Sequence, residues 1–226
     1  MQRLMTFVVV SLFVIHLARS QDVCLDSAQM GANEYMLQNS HEALVRAFDS
    51  SERDSWQHPD TVISFLGDLT NKTIVDLGSG SGYFTFRLLS TGAKVIAADV
   101  DEEFLEIIKE KGQKLNIEED RLKTIHIDND KLNIEEGTVD IIFLVNVYHH
   151  ISDRISYFSR ANSVLKKDGK IIIIDFYKKT LPIGPPKNHK ISEDLVIEEL
   201  EKAGYENIAL NTDLLQYQYL IVADQF

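Results

Sequence analysis

The sequence predicts an α/β fold: a Rossmann-like, mostly parallel sheet of seven strands with an antiparallel C-terminal strand and helices on both faces. Three observations carry that expectation. Apolar runs of strand length alternate with segments of helical period from Thr73 to Ala203, and such alternation builds a parallel sheet with crossover helices. The first run, Thr73–Leu77, ends in glycines at alternate positions (Gly78, Gly80, Gly82) before Phe84–Leu89 takes up a helical period. The last run, Leu215–Ala223, alternates around Gln216-Tyr217-Gln218-Tyr219, which suits an antiparallel hairpin.

The elements follow in chain order. Met1–Ser20 has Arg3, a mostly apolar stretch from Leu4 to Leu17, and Ala18-Arg19-Ser20 before Gln21. That is the layout of a secretory signal peptide over residues 1–20, and it implies a periplasmic or secreted chain. An uncleaved membrane anchor is the alternative, although the apolar stretch is short for a span, and no stable membrane insertion is expected after cleavage. Residues 21–58 read as a helical cap, with Tyr35, Met36, Leu37, Ala43, Leu44, Val45 and Phe48 at roughly helical spacing. One or two short helices there would lie over a ligand mouth. Pro59 opens a helix to Leu66, its fixed φ suiting the first helical position, and residues 59–226 form one α/β domain.

Lys94–Asp99 is the second strand. Glu102–Lys111 is a charged helix with an apolar stripe of Phe104, Leu105, Ile107 and Ile108. Arg121–Ile127 is the third strand, and Val139–Val147 the fourth, so apolar that both of its faces must be buried. Asp153–Leu165 is an amphipathic helix, capped by Ser152 or Asp153 and closed by Lys167-Asp168-Gly169. Lys170–Phe176 is the fifth strand, followed by the proline-stiffened loop Leu181–Lys190. Ser192 caps a helix to Ala203, Gly204 ends it, and Tyr205–Leu210 precedes the last strand.

Strand, glycine turn and helix is the arrangement in which backbone N–H groups meet a ligand closely, and a Cβ there would block the approach or forbid φ > 0. Gly78, Ser79, Gly80, Gly82 and Tyr83 are the contact candidates. A bare G-x-G-x-G suits dinucleotides as well as other adenosine ligands. Asp76, inside the strand, would sit badly beside a pyrophosphate and well near an ammonium or sulfonium. Asp99, followed by Val100, closes the second strand about twenty residues on, where a carboxylate accepts from a ribose diol. A cationic adenosine ligand suits both acids, and S-adenosylmethionine is one.

On these residues the chain from about Phe48 onward resembles the class I S-adenosylmethionine-dependent methyltransferases. It is similar to small bacterial members with Trp-Gln-x-Pro before the glycine loop and Gly-Pro-Pro-x-x-His-Lys after the fifth strand. The matching pieces are Glu52–Pro59, Val75–Thr85, Val145–Ile151 and Gly184–Lys190. The resemblance implies methyl transfer, with Asp128 and Asn129 beside the adenine and Asn146 among the cofactor residues. An Asx turn is the plainer reading of Asp128.

Methyl transfer from a sulfonium is an in-line displacement, so the protein mainly aligns the reactants and excludes water. An acceptor that carries a proton also needs a base, and histidine titrates in the useful range. His149 and His150 fall at the carboxyl end of the fourth strand, where ligands bind. His189 is placed to close over the pocket, and Tyr148 and Asp175 are orienting groups. Neighbours on a strand point to opposite faces, so His149 and His150 are not expected to share a task. Trp56, the only tryptophan, is either a wall of the acceptor pocket or a packing anchor, and Tyr35 is a further lid candidate. Asp175 with these histidines leaves a nitrogen/oxygen metal site open, but no H-x-x-x-H spacing supports one and no metal is expected.

Composition bounds the partners. With 226 residues and 44% hydrophobic content the chain can core one domain and a small appendage. A net charge of -12 argues against a phosphate-binding surface, so a small-molecule acceptor is expected and nucleic acid is not. The single cysteine, Cys24, excludes an intrachain disulfide and a cysteine-based zinc site. Two other readings stand beside the enzyme: a non-catalytic cofactor-binding module, and an NAD-dependent oxidoreductase, which would carry a parallel strand in place of the C-terminal hairpin.

Overall fold

The computed structural model describes residue 33 and residues 39–128 and 132–225. The expected signal peptide, Cys24, Tyr35 and Asn129 lie outside these residues. Two short helices, α1 (His41–Phe48) and α2 (Ser51–Gln57), lead into α3 (Pro59–Leu66). Ser40 and Ser50 begin the first two, their hydroxyl oxygens accepting from the Ala43 and Glu52 N–H groups at 3.3 and 3.1 Å. Pro59 opens α3 at the predicted position.

The sheet then builds outward from its centre. β1 (Thr73–Leu77), β2 (Lys94–Asp99), β3 (Leu122–His126), β4 (Val139–Val145) and β5 (Leu165–Phe176) are mutually parallel, and β7 (Gln218–Gln225) runs antiparallel between β5 and β6 (Tyr205–Asn211). The order is β3-β2-β1-β4-β5-β7-β6 in one seven-stranded sheet. This is the predicted Rossmann-like architecture, with the reversed strand that a dehydrogenase reading would lack. The crossovers carry α4 (Thr85–Ser90), α5 (Glu102–Lys114), α6 (Arg154–Asn162) and α7 (Glu193–Lys202).

Alternation along β4 supplies both faces of the core, as its apolar run requires. Ile142 and Leu144 pack with Tyr157, Phe158, Val196 and Leu200 under α6 and α7, whereas Ile141 and Phe143 pack with Leu88 and Val62 under α4 and α3. Several boundaries differ from expectation. β5 begins at Leu165, pairing with Val139 before a bulge, so Lys167-Asp168-Gly169 lies at the start of a strand rather than at the end of a helix. Asp153 precedes α6 in a left-handed conformation (φ 46°) and makes no side-chain cap bond. The start of α6 is held by Arg154 instead, which forks onto Glu199 of α7 at 2.7 and 2.8 Å while the Tyr148 hydroxyl donates to Glu199 at 2.7 Å.

Because Glu199→Ala leaves a part-buried guanidinium and a buried hydroxyl without their acceptor, it should lower stability by about 2 kcal/mol. Urea unfolding checks the loss.

Candidate active site

The carboxyl ends of β1, β2 and β4 frame a cavity of about 480 Å³ roofed by α1 and α2. β1 carries Asp76 to this edge and then turns sharply. Gly78, Gly80 and Gly82 all have positive φ, at 70°, 51° and 87°. A Cβ on Gly78 would stand 2.3 Å from Val147 Cγ2, and one on Gly82 would stand 2.7 Å from the Phe86 ring. Both glycines are therefore demanded by packing as well as by ligand approach. The Gly80 N–H donates to Asp99 Oδ2 (2.8 Å) and the Asp101 N–H to Asp99 Oδ1 (3.1 Å), which fixes that carboxylate at the end of β2.

The cavity brings together most of the cofactor residues read from the sequence: Asp76, Gly78, Ser79, Gly80, Tyr83, Asp99, Val100 and Asn146 line it. Gly82 stands behind the turn. Asp128 is exposed just past β3 and is not among the lining residues. Asp76 accepts from the Thr85 hydroxyl at 2.5 Å, and burial pushes its pKa up to about 6 against that bond. Burial also raises Asp99. Neither acid has an ion-pair partner among the described residues.

Arg53 was not singled out as a site residue in the sequence, yet it lines this end of the cavity. Its guanidinium lies 3.9 Å from the Tyr83 ring centre and Nη1 donates to the Phe48 carbonyl at 3.1 Å. Burial lowers its pKa to about 10, which leaves it protonated at neutral pH. A cation three residues before the lone tryptophan of a cap was the available signal. The same cap grips the glycine turn: Ser81 donates to Asp49 at 2.6 Å, and Tyr83 and Arg87 donate to Asp54.

At the opposite end β4 stops at Val145. Asn146 turns the chain at φ 61°, and Tyr148–His150 form a 3-10 turn. Asparagine tolerates this conformation at a cost of about 1 kcal/mol. Outside the strand the alternation of faces is lost. His149 and His150 therefore both line the cavity with ring centres 4.2 Å apart, correcting the expectation that they are separated. His149 Nδ1 lies 3.0 and 2.9 Å from the oxygens of Asp175, which is fully buried. That acceptor assigns the proton to Nδ1 and leaves the Nε2 lone pair open. His150 Nδ1 lies 2.7 Å from Asn33 Oδ1, while Asn33 Nδ2 donates back to the His150 carbonyl. Burial, then the nearness of His149, lowers the His150 pKa to about 4, so it is neutral at physiological pH.

Two other candidates are corrected. Tyr148 is fully buried, stacked on Phe158 at 5.0 Å, with its hydroxyl held by Glu199 away from the cavity. His189 is buried in a second 3-10 turn, and Gly184 and Pro185 line the mouth in its place. Gly184 lies so close to the Phe176 ring that a Cβ would come within 2.7 Å. Trp56 lines the cavity beside Phe176, ring centres 5.7 Å apart, and so serves as a wall.

The residues present fit S-adenosylmethionine. Asp76 would hold the cationic end and Asp99 the ribose, both lining the cavity, and the buried Ser79 hydroxyl has no partner within the described structure. Together the fold and the site are those of the class I S-adenosylmethionine-dependent methyltransferases. Residues 75–173 match the family model described as Methyltransferase domain. An S-adenosylmethionine-dependent methyltransferase from Aquifex aeolicus superposes with a TM-score of 0.75 at 25% identity, covering 83% of this chain and 100% of that one. A phosphoethanolamine N-methyltransferase from Haemonchus contortus, solved with S-adenosylmethionine, shares the fold at a TM-score of 0.63, 16% identity, and 75% and 52% coverage. The tRNA U34 carboxymethyltransferase of Actinobacillus pleuropneumoniae is 28% identical over 167 residues, 66% of this chain and 50% of that protein. Its namesake from Shewanella amazonensis is 29% identical over 125 residues, 55% and 37% of the two chains. The chain thus spans about half the length or less of these curated relatives. Their names overturn the expectation of a small-molecule acceptor with nucleic acid excluded, since a tRNA is the substrate they carry.

Burial pushes the Asp76 pKa up to about 6, and a cationic ligand should favour its ionised form. Affinity for S-adenosylmethionine should therefore be full above that pH and fall as the pH drops through it, as calorimetry from pH 5 to 8 will show. Asp99→Ala, which removes the carboxylate expected to accept from the ribose, should weaken binding about tenfold or more at every pH.

Proposed function

We propose that the chain methylates a proton-bearing nucleophile on an RNA base, with His149 as the general base. The observation that supports this most is the His149–Asp175 pair in the wall of the cavity that also holds Asp76 and Asp99. When bound, S-adenosylmethionine supplies an electrophilic carbon on a sulfonium. Asp76 and Asp99 would hold the two ends of that ligand, and the cap would shut out water. His149 Nε2 would take the acceptor's proton as the methyl group is transferred. Asp175 keeps the imidazole in the required tautomer and faces the imidazolium that results.

The acceptor class rests on the relatives' names. A net charge of -12 disfavours a grip on phosphates. Recognition then falls to a base turned out of its stack, for which Trp56 and Phe176 offer aromatic faces.

Incubation with methyl-labelled S-adenosylmethionine and total host RNA should place label in nuclease-sensitive material. Unlabelled RNA at full cofactor occupancy would sink the acceptor assignment. His149→Ala should lower turnover by roughly 10²–10⁴-fold with cofactor affinity kept. Asp175→Asn should fall likewise through loss of the tautomer. Wild-type turnover in either variant would remove the base from that pair.

A further inference from the structure

Behind the cavity wall three side-chain amides close a ring. Gln57 Nε2 donates to Gln218 Oε1 (2.8 Å), Gln218 Nε2 to Asn146 Oδ1 (2.6 Å), and Asn146 Nδ2 to Gln57 Oε1 (3.5 Å). Gln57 and Gln218 are sealed from solvent at 0% and 1% exposure, whereas Asn146 lines the cavity. The three come from the end of α2, the start of β7 and the residue after β4. Buried amides are tolerated when hydrogen-bonded, and each of the six polar atoms has a partner within the ring. The arrangement is all-or-none. Turning over one amide sets oxygen against oxygen and nitrogen against nitrogen.

The ring joins the parts that meet at the acceptor end of the cavity. Trp56 is the neighbour of Gln57, and Phe176, which packs on Trp56, is the register partner of Gln218. Asn146 starts the left-handed turn that brings His149 to Asp175. We propose that Gln57 and Gln218 are positioning residues. Acting through Trp56 and Asn146, they hold the aromatic wall and the histidine turn as one unit. This assignment does not depend on the identity of the acceptor.

Gln218→Glu and Gln57→Glu separate the ring from simple packing. A neutral carboxylic acid both donates and accepts, so it can close the ring, whereas a carboxylate only accepts. Trp56 is the only tryptophan, so its fluorescence reports on the wall directly. The ionisable groups facing this region are Arg53 on α2, His149 and His150 after β4, Asp175 on β5, and Lys190, 5.4 Å from the Phe176 ring. Wild-type protein titrated in parallel from pH 5 to pH 10 accounts for their contribution. At pH 5 both variants should match wild type in Trp56 emission and in affinity for S-adenosylhomocysteine. At pH 10 they should show red-shifted, more readily quenched emission and roughly tenfold weaker binding. Gln218→Leu should depart from wild type throughout. Glutamate variants that track wild type at pH 10 overturn the proposal. So do glutamate variants that differ from it at pH 5, failure of both to fold there included.

Discussion

Two carboxylates are buried at one edge of a parallel sheet without a cation in ion-pair contact among the described residues, and the rest of the site depends on how they are held. Burial raises both Asp76 and Asp99, since removing a charge from water is costly unless hydrogen bonds or an opposite charge replace the solvent. Thr85 supplies a hydroxyl to the first, and the turn supplies the Gly80 N–H to the second. These bonds fix the acids without neutralising them. A cationic adenosine ligand completes what the protein leaves open, which is why perturbed acids in a cleft mark a binding site.

The cap answers the same constraint from above. It is wired to the turn by Asp49 through Ser81 and by Asp54 through Tyr83 and Arg87. His41 adds a contact to Asp101 at 2.6 Å, at the start of α5, where the hydrogen bond to Asp101 raises the histidine's pKa against its partial desolvation. Each link is polar and several are exposed, so the cap relies on specific partners more than on apolar burial. None of the residues of α1 is buried. A segment of that kind belongs to the low-stability end of a fold, from which ligand-covering elements are drawn.

What the sequence made legible was local. β1, β2 and β4 followed from apolar runs, the turn from its glycines, and Asp99 from its distance past the turn, all features a few residues long. The pairing of His149 with His150 was not legible, because it depends on β4 ending at Val145 rather than Val147. Two residues decide whether neighbours share a face. Tyr148 looked like a site residue for the same reason, and its hydroxyl is committed to a partner 51 residues away. The β5 start was hidden by Lys166-Lys167-Asp168-Gly169, whose polar pattern reads as a helix end while the bulge opposite Val139 tolerates it. The amide ring spans separations of 72, 89 and 161 residues and leaves no periodicity to read.

Under the proposed function, the charge that moves during transfer has a buried carboxylate at each end of its path. S-adenosylmethionine would bring its positive charge to the Asp76 end. After transfer the charge would be an imidazolium against Asp175, which is fully enclosed and held by the His149 ring and backbone N–H. Displacement of a charge through a poorly solvated cavity is favourable only where fixed dipoles and charges already await the final state. His150, kept neutral beside His149, adds no repulsion to the imidazolium as it forms. A second protonated histidine 4.2 Å away would oppose that step. The same burial that makes His150 a poor acid thus makes it a suitable neighbour for the base.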